Sequence, residues 1–160
     1  MRARMRKILI AVVLMMSWAG AVSASELTLD KKTLTLEAAM RLAARAAEEA
    51  RARGVGVVIA VVDDGGHLIV LRRMDDAQVA SVNVGIGKAR TAAIYRRPSR
   101  DFEEQIRAGR LAALALADST PLQGGIPIKL NGKVIGAIGV SGDTPQVDEA
   151  IAIAGATAFK

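Results

Sequence analysis

The spacing of apolar residues changes several times along the chain, and each change predicts a new secondary-structure element. From Leu36 to Arg53 the apolar side chains recur every three or four positions, which predicts an amphipathic helix. Thr35 is suited to begin this helix as its N-cap, and Gly54 is suited to end it. The alternation of Leu27-Thr28-Leu29 predicts a short strand before the helix.

Two pairs of short apolar runs are each separated by turn residues, which is the pattern of a β-hairpin. The first pair encloses Asp63-Asp64-Gly65-Gly66, and the second encloses Asn131-Gly132. The four strands predicted in this way are Val57–Val62, His67–Arg72, Ile126–Leu130 and Lys133–Val140.

Helical spacing also predicts three further helices, and it gives the order β-α-β-β-α-α-β-β-α. They run over Ser81–Tyr95, from Arg100 to about Ala117, and over Pro145–Thr157, with Ser99 as the N-cap of the middle one. Tight hairpins imply an antiparallel sheet on which the helices pack. Residues 25–160 are therefore predicted to form one α+β domain.

The first 24 residues have the pattern of a secretory signal peptide. A cationic start is followed by the apolar run Ile8–Gly20 and by Val22-Ser23-Ala24, a small-x-small cleavage site. The apolar run is too short to span a hydrocarbon core of about 30 Å comfortably. We expect cleavage after Ala24, a periplasmic or secreted protein, and no stable membrane anchor after cleavage.

Composition narrows the function classes once the signal peptide is set aside. The 160-residue chain has 22 basic and 16 acidic residues and no cysteine. Four of the basic residues lie in the signal peptide, so the mature charge is only +2. The lack of cysteine excludes thiolate metal sites and thiol nucleophiles. With Tyr95, Phe102 and Phe159 as the only mature aromatic residues, we expect no nucleic-acid binding.

Two segments resemble catalytic motifs incompletely. Gly139-Val140-Ser141-Gly142 has Asp143 where a nucleophile elbow needs its last glycine. Val84-Gly85-Ile86-Gly87-Lys88 lacks the first glycine of a phosphate loop, and it has Ala89 in place of the Ser or Thr that holds magnesium. No catalytic residue is assigned, and binding is favoured over catalysis.

Six short motifs, taken in order, resemble the GlcG/HbpS family over about Leu29 to Phe159. They are Val61-Val62-Asp63 with Gly65-Gly66, Arg73-Met74-Asp75 with Ala77, Ser81, Lys88-Ala89 with Thr91-Ala92, Gly124-Gly125-Ile126-Pro127, and Gly136-Ala137-Ile138-Gly139-Val140-Ser141-Gly142. The resemblance implies a profilin-like α-β-α domain with a five-stranded antiparallel sheet flanked by helices. It also implies a homo-oligomer, often an octamer, that binds haem, in some members for redox sensing. Other members accompany glycolate or diol metabolism without an established reaction.

Small residues on one side of the second predicted helix also favour an oligomer. Gly85, Ala89, Ala92 and Ala93 allow a neighbouring backbone to come close, either within the subunit or between subunits. We therefore expect a symmetric homo-oligomer larger than a dimer.

The candidate ligand site combines cationic, small polar and glycine residues. Arg73 and Lys88 are suited to hold haem propionates or a substrate carboxylate, with Asp75 orienting Arg73. An internal Arg–Asp pair is the alternative for these two side chains. The other predicted site residues are Thr91, Gly124, Gly125 and Ser141. The iron-ligand candidates, among which the sequence does not choose, are His67, Met74, Thr91 and Tyr95.

Two functions from different classes remain at this point. The first is a secreted, non-enzymatic binding protein, with non-covalent haem as its ligand, that stores or senses haem or binds another small anion. The second is an enzyme or accessory protein of small carboxylate or diol metabolism. A module whose oligomer matters more than any ligand is a third possibility.

Export is directly testable. Mass spectrometry of the native protein should find an N-terminus at Ser25, because the tripartite start is the pattern that signal peptidase recognises. Cytoplasmic material that retains Met1 to Ala24 would contradict this expectation.

Overall fold

The computed structural model describes residues 27–159, so the predicted signal peptide lies outside the described residues. Residues 32–159 belong to one compact unit, and residues 27–31 precede it. The helices and strands are α1 (Leu36–Ala52), β1 (Val58–Asp63), β2 (Leu68–Arg73), α2 (Ser81–Ile94), α3 (Arg100–Arg107), a 3-10 helix (Leu111–Ala115), β3 (Gly125–Leu130), β4 (Lys133–Ser141) and α4 (Pro145–Ala156). None of the helices among these residues is long and apolar enough to cross a membrane.

The sheet is fully antiparallel and has the strand order β2-β1-β4-β3. Both predicted hairpins and the α+β class are confirmed. The prediction of five strands is wrong for the described residues, which form four. Leu27–Leu29 is not a strand, and both leucines are largely exposed. An alternation of three residues is too short to specify pairing without an apolar surface to cover.

Helices cover both faces of the sheet, which gives an α-β-α arrangement. Helices α1 and α4 pack together on one face, where Val57, Ile59 and Val61 point into the larger core. Helix α2 covers the opposite face above Ala60 and Val62. Because both faces are buried, β1 is an apolar run instead of an alternating one.

Helix α2 and the sheet come into backbone contact because small residues face each other between them. A Cβ atom at Gly139 of β4 would collide with the carbonyl oxygen of Gly85 and the amide of Ala89. The small-residue side of α2 is thus buried within the subunit. It is not available as a contact between subunits, and the homo-oligomer stays a prediction without this support.

The third predicted helix is shorter than expected. α3 ends at Arg107, and Gly109 adopts a φ of +92°, a left-handed conformation that interrupts the helix before the 3-10 turn. Ser99 occupies the N-cap position of α3, as predicted, but its side chain makes no cap hydrogen bond. Its hydroxyl instead donates to the carbonyl of Leu122 (2.5 Å) and accepts from the amide of Gly125 (2.8 Å). The N-cap of α1, Thr35, is confirmed.

Candidate functional site

A buried ion pair links α2 to the end of the sheet and to α4. The side chain of Lys88 is 4% exposed, and its Nζ donates to Asp148 Oδ2 at 2.7 Å and to the carbonyl of Val140 at 3.1 Å. Asp148 is itself 2% exposed and lies in the first turn of α4. Three elements that are distant in sequence are therefore joined at one ammonium group.

The glycine pair at the start of β3, Gly124 and Gly125, closes over this ammonium group. Gly124 has a φ of +126°, and a Cβ atom there would lie 2.7 Å from the Val140 oxygen and 3.1 Å from Lys88 Nζ. A Cβ atom at Gly125 would collide with the carbonyl of Lys88. The two glycines thus allow the backbone to pass where no side chain fits. Gly125 is a predicted site residue, and its backbone amide donates to Ser99 Oγ within the fold.

The second oxygen of Asp148 is also engaged, since Oδ1 accepts from the amide of Asp143 at 3.1 Å. Burial raises the pKa of Asp148 above its ordinary value, although the hydrogen bond and positive charge of Lys88 act in the opposite direction. The sequence does not single out this carboxylate, because an acidic residue in the first turn of a helix is common without a ligand role.

The Thr91 side chain hydrogen-bonds to the loop that precedes Gly124 and Gly125. Its hydroxyl donates to the carbonyl of Gly87 at 2.8 Å and accepts from the amide of Thr120 at 2.7 Å. Ser141 is buried at the end of β4, where it lies opposite Val58 and close to Gly85. The structure therefore places Lys88 and Ser141 where α2 meets the C-terminal end of β4, while Thr91 lies about one turn further along α2, against the loop.

A second buried acidic residue, Glu149, was also missed by sequence reasoning. Its Oε2 accepts from Gln123 Nε2 at 2.7 Å and from Arg100 Nη1 at 3.0 Å. The backbone amide of Gln123 donates to Glu103 Oε2 at 2.6 Å. These bonds attach the loop to α3 and α4, and they are the same kind of internal contact that Lys88 makes.

Arg73 and Asp75 lie outside this network. Arg73 ends the edge strand β2 opposite Val58, and it is exposed. It forms no ion pair with Asp75 or with any other acidic residue in the described range. The backbone of Asp75 packs against Gly56, while its side chain is exposed. No described contact connects either residue to Lys88.

The four iron-ligand candidates differ in whether their donor atoms are already hydrogen-bonded, buried or open to solvent. The Thr91 hydroxyl is committed to the backbone, and the Tyr95 hydroxyl donates to the carbonyl of Ala117 at 2.7 Å. Met74 is half-buried against the core beneath α1. His67 is different, since its side chain is 80% exposed and its hydrogen-bonding partner among the described side chains is Asp63. The described residues contain no group of three or more His, Asp or Glu side chains arranged for a metal ion.

The fold and the matched sequence define the class of protein. The chain belongs to the HbpS-like family, whose model, described as haem degrading protein HbpS-like, matches residues 34–157. The predicted resemblance is confirmed. Protein GlcG of Escherichia coli (strain K12) is 42% identical over 111 residues, which cover 69% of this chain and 83% of that protein.

Two solved structures extend the likeness to three dimensions. The crystal structure of HbpS has a TM-score of 0.80 at 33% identity, and the match covers 88% of this chain and 99% of that chain. A PduOC:heme complex has a TM-score of 0.73 at 26% identity, and the match covers 80% of this chain and 96% of that chain.

Loss of the Lys88 amine should destabilise the fold. Lys88→Ala is expected to lower the free energy of unfolding by about 3–5 kcal/mol, because it leaves Asp148 buried without its cation. The deficit should shrink as the pH falls, since a protonated Asp148 carries no unpaired charge. Urea unfolding followed by circular dichroism measures both effects. Arg73→Ala, at an exposed position, is the matched control and should stay within about 0.5 kcal/mol of wild type.

The double variant Lys88→Met/Asp148→Asn tests the cause. It removes both charges while it keeps an oxygen for the Asp143 amide, so it should recover much of the lost stability. A Lys88→Ala protein as stable as wild type would show that the ion pair contributes little to the fold.

Proposed function

We propose that the mature chain is a non-enzymatic haem-binding protein of the periplasm or the extracellular space, which stores or senses haem. The observation that carries the proposal is the likeness to the PduOC:heme complex, which extends over 96% of that chain. The family description, which names haem, points to the same ligand. Export after Ala24 and assembly into a homo-oligomer, an octamer included, are parts of the same proposal.

The buried polar groups support binding over catalysis. A catalytic group has to present a free lone pair or proton to its substrate. Lys88, Asp148 and Glu149 are instead held by protein partners on more than one side. Thr91 is likewise occupied. These residues stabilise the domain, and the ligand has to be met by other side chains.

The edge strand β2 offers groups that fit haem. A haem surface needs apolar area, cations for the propionates and an iron ligand. Leu68 and Leu71 lie opposite Val62 and Ala60, so they are on the α2 side of the sheet, yet they are 47% and 38% exposed. Arg73 follows on the same side, two residues after Leu71. His67 directly precedes the strand.

A second candidate function is the binding of a small carboxylate in metabolism. The observation that favours it is the open guanidinium of Arg73, which forms no ion pair among the described residues and is suited to a bidentate carboxylate contact.

Haem binding should be visible as a Soret band when the purified mature protein is titrated with haemin. Leu71→Ser should weaken binding about tenfold, roughly 1.4 kcal/mol, because it removes apolar area from the proposed surface. Leu111→Ser, at a 64% exposed leucine of the 3-10 helix, is the matched control and should not change the affinity. Failure of the wild-type protein to form a saturable Soret band would reject the haem function.

The second function predicts a different result in calorimetry. A short 2-hydroxycarboxylate such as glycolate should bind wild type, and Arg73→Ala should weaken this binding by about 1–3 kcal/mol as a charge-assisted hydrogen bond is lost. Lys133→Ala removes an exposed cation from the other hairpin and serves as the control. Heat release that is absent in wild type, or equal in wild type and Arg73→Ala, would argue against a carboxylate site at Arg73.

A further inference from the structure

The turn between β1 and β2 is built around one carboxylate. Asp63 Oδ1 accepts from the amides of Gly65 and His67, both at 2.9 Å. The carbonyl of His67 in turn accepts from the amide of Asp63 at 2.9 Å. With Gly66 at a φ of +82°, this closes a tight turn in which the Asp63 carboxylate has a fixed position.

The same carboxylate orients the imidazole of His67. Its second oxygen, Oδ2, lies 3.3 Å from His67 Nδ1. An ionised carboxylate only accepts hydrogen bonds, so this contact favours the neutral tautomer in which Nδ1 carries the proton and Nε2 keeps its lone pair.

A carboxylate-held imidazole with a free Nε2 is the arrangement that metal-ligating histidines usually have. His67 is the only histidine of the chain, and its side chain is 80% exposed. A ligand approaching from solvent therefore reaches Nε2 without any rearrangement of the fold. Of the four iron-ligand candidates, His67 has the strongest donor atom in an open position.

Helix α2 supports the turn from one side and adds a cation. Arg90 Nε donates to the carbonyl of Gly66 at 3.2 Å, which leaves the terminal nitrogens of the guanidinium for other partners. A Cβ atom at Gly66 would lie 3.1 Å from Cγ2 of Ile94, so this side chain also packs against the turn. The charged groups at the turn are Asp63, Asp64, Arg90 and, when protonated, His67.

We propose that the β1–β2 turn is the haem-iron site, where His67 Nε2 binds the iron, Asp63 is the positioning residue that sets the imidazole tautomer, and Arg90 holds a propionate. This inference rests on the proposed haem function and assigns its ligand set. It separates the ligand site from the Lys88 network, although both contact α2.

Three variants of the mature protein, titrated with haemin, test the assignment. His67→Ala should lower the affinity at least tenfold and remove the spectral signature of nitrogen ligation from electron paramagnetic resonance. Asp63→Asn should lower it 10- to 100-fold, as loss of such partners does at other metal sites. The asparagine oxygen can still accept from the two turn amides, but its NH₂ donates to Nδ1 and moves the ring proton to Nε2. Asp76→Asn is the control, because it makes the same chemical change at an exposed residue beyond the other end of β2, at a φ of +62° that asparagine tolerates, and it should bind like wild type.

The tautomer can be measured without haem. Long-range ¹H–¹⁵N correlation spectra of the apoprotein should show the proton on Nδ1 in wild type and on Nε2 in Asp63→Asn. The same tautomer in both proteins would overturn the positioning role of Asp63.

Arg90 is tested by changing the ligand. Arg90→Gln should weaken haem binding about fivefold, yet it should leave the affinity for haem dimethyl ester, which has no propionate charge, unchanged. Equal losses for both ligands would show that Arg90 acts on the turn and not on a propionate.

The outcomes distinguish this inference from the function it rests on. No Soret band with wild type rejects haem binding itself. A wild-type Soret band that His67→Ala reproduces in affinity and spectrum keeps the function but overturns the site.

Discussion

The ammonium group of Lys88 is the constraint on which much of the domain depends. A charge that is almost completely removed from water costs several kcal/mol unless partners surround it. Asp148 supplies the opposite charge, and the carbonyl of Val140 supplies a second acceptor. The start of α4, the end of β4 and the middle of α2 are therefore fixed relative to one another by a single side chain.

The glycine pair follows from the same constraint. The loop between the 3-10 helix and β3 has to pass directly over Lys88, and Gly124 and Gly125 are positions where a Cβ atom has no room. Bonds from Thr91 and Gln123 then hold the loop against α2 and α3. Lys88, Thr91 and Gly125, which look suited to a ligand in the sequence, are thus used by the fold, and the open side chains lie at the β2 edge of the sheet.

Local patterns predict most of the architecture, while contacts between distant residues account for the errors. Apolar periodicity and the Asn131-Gly132 turn correctly identify the helices and both hairpins. The helix predicted to about Ala117 was too long because the left-handed conformation of Gly109 is not distinguishable, in sequence, from a tolerated helical glycine. Asp148 lies 60 positions after Lys88, and nothing local in the sequence connects the two.

Helix α2 carries Lys88 of the buried ion pair on one side and Arg90, which supports the β1–β2 turn, on another. Successive residues of an α-helix are rotated by about 100°, so Lys88 and Arg90 point in nearly opposite directions. Lys88 is buried at the junction with α4, whereas Arg90 reaches the β1–β2 turn beside His67. Because the buried ion pair fixes the helix, it also fixes the position from which Arg90 and Ile94 support the turn. The open histidine therefore owes its defined orientation to the short-range bonds of Asp63 and, through α2, to the buried Lys88–Asp148 pair.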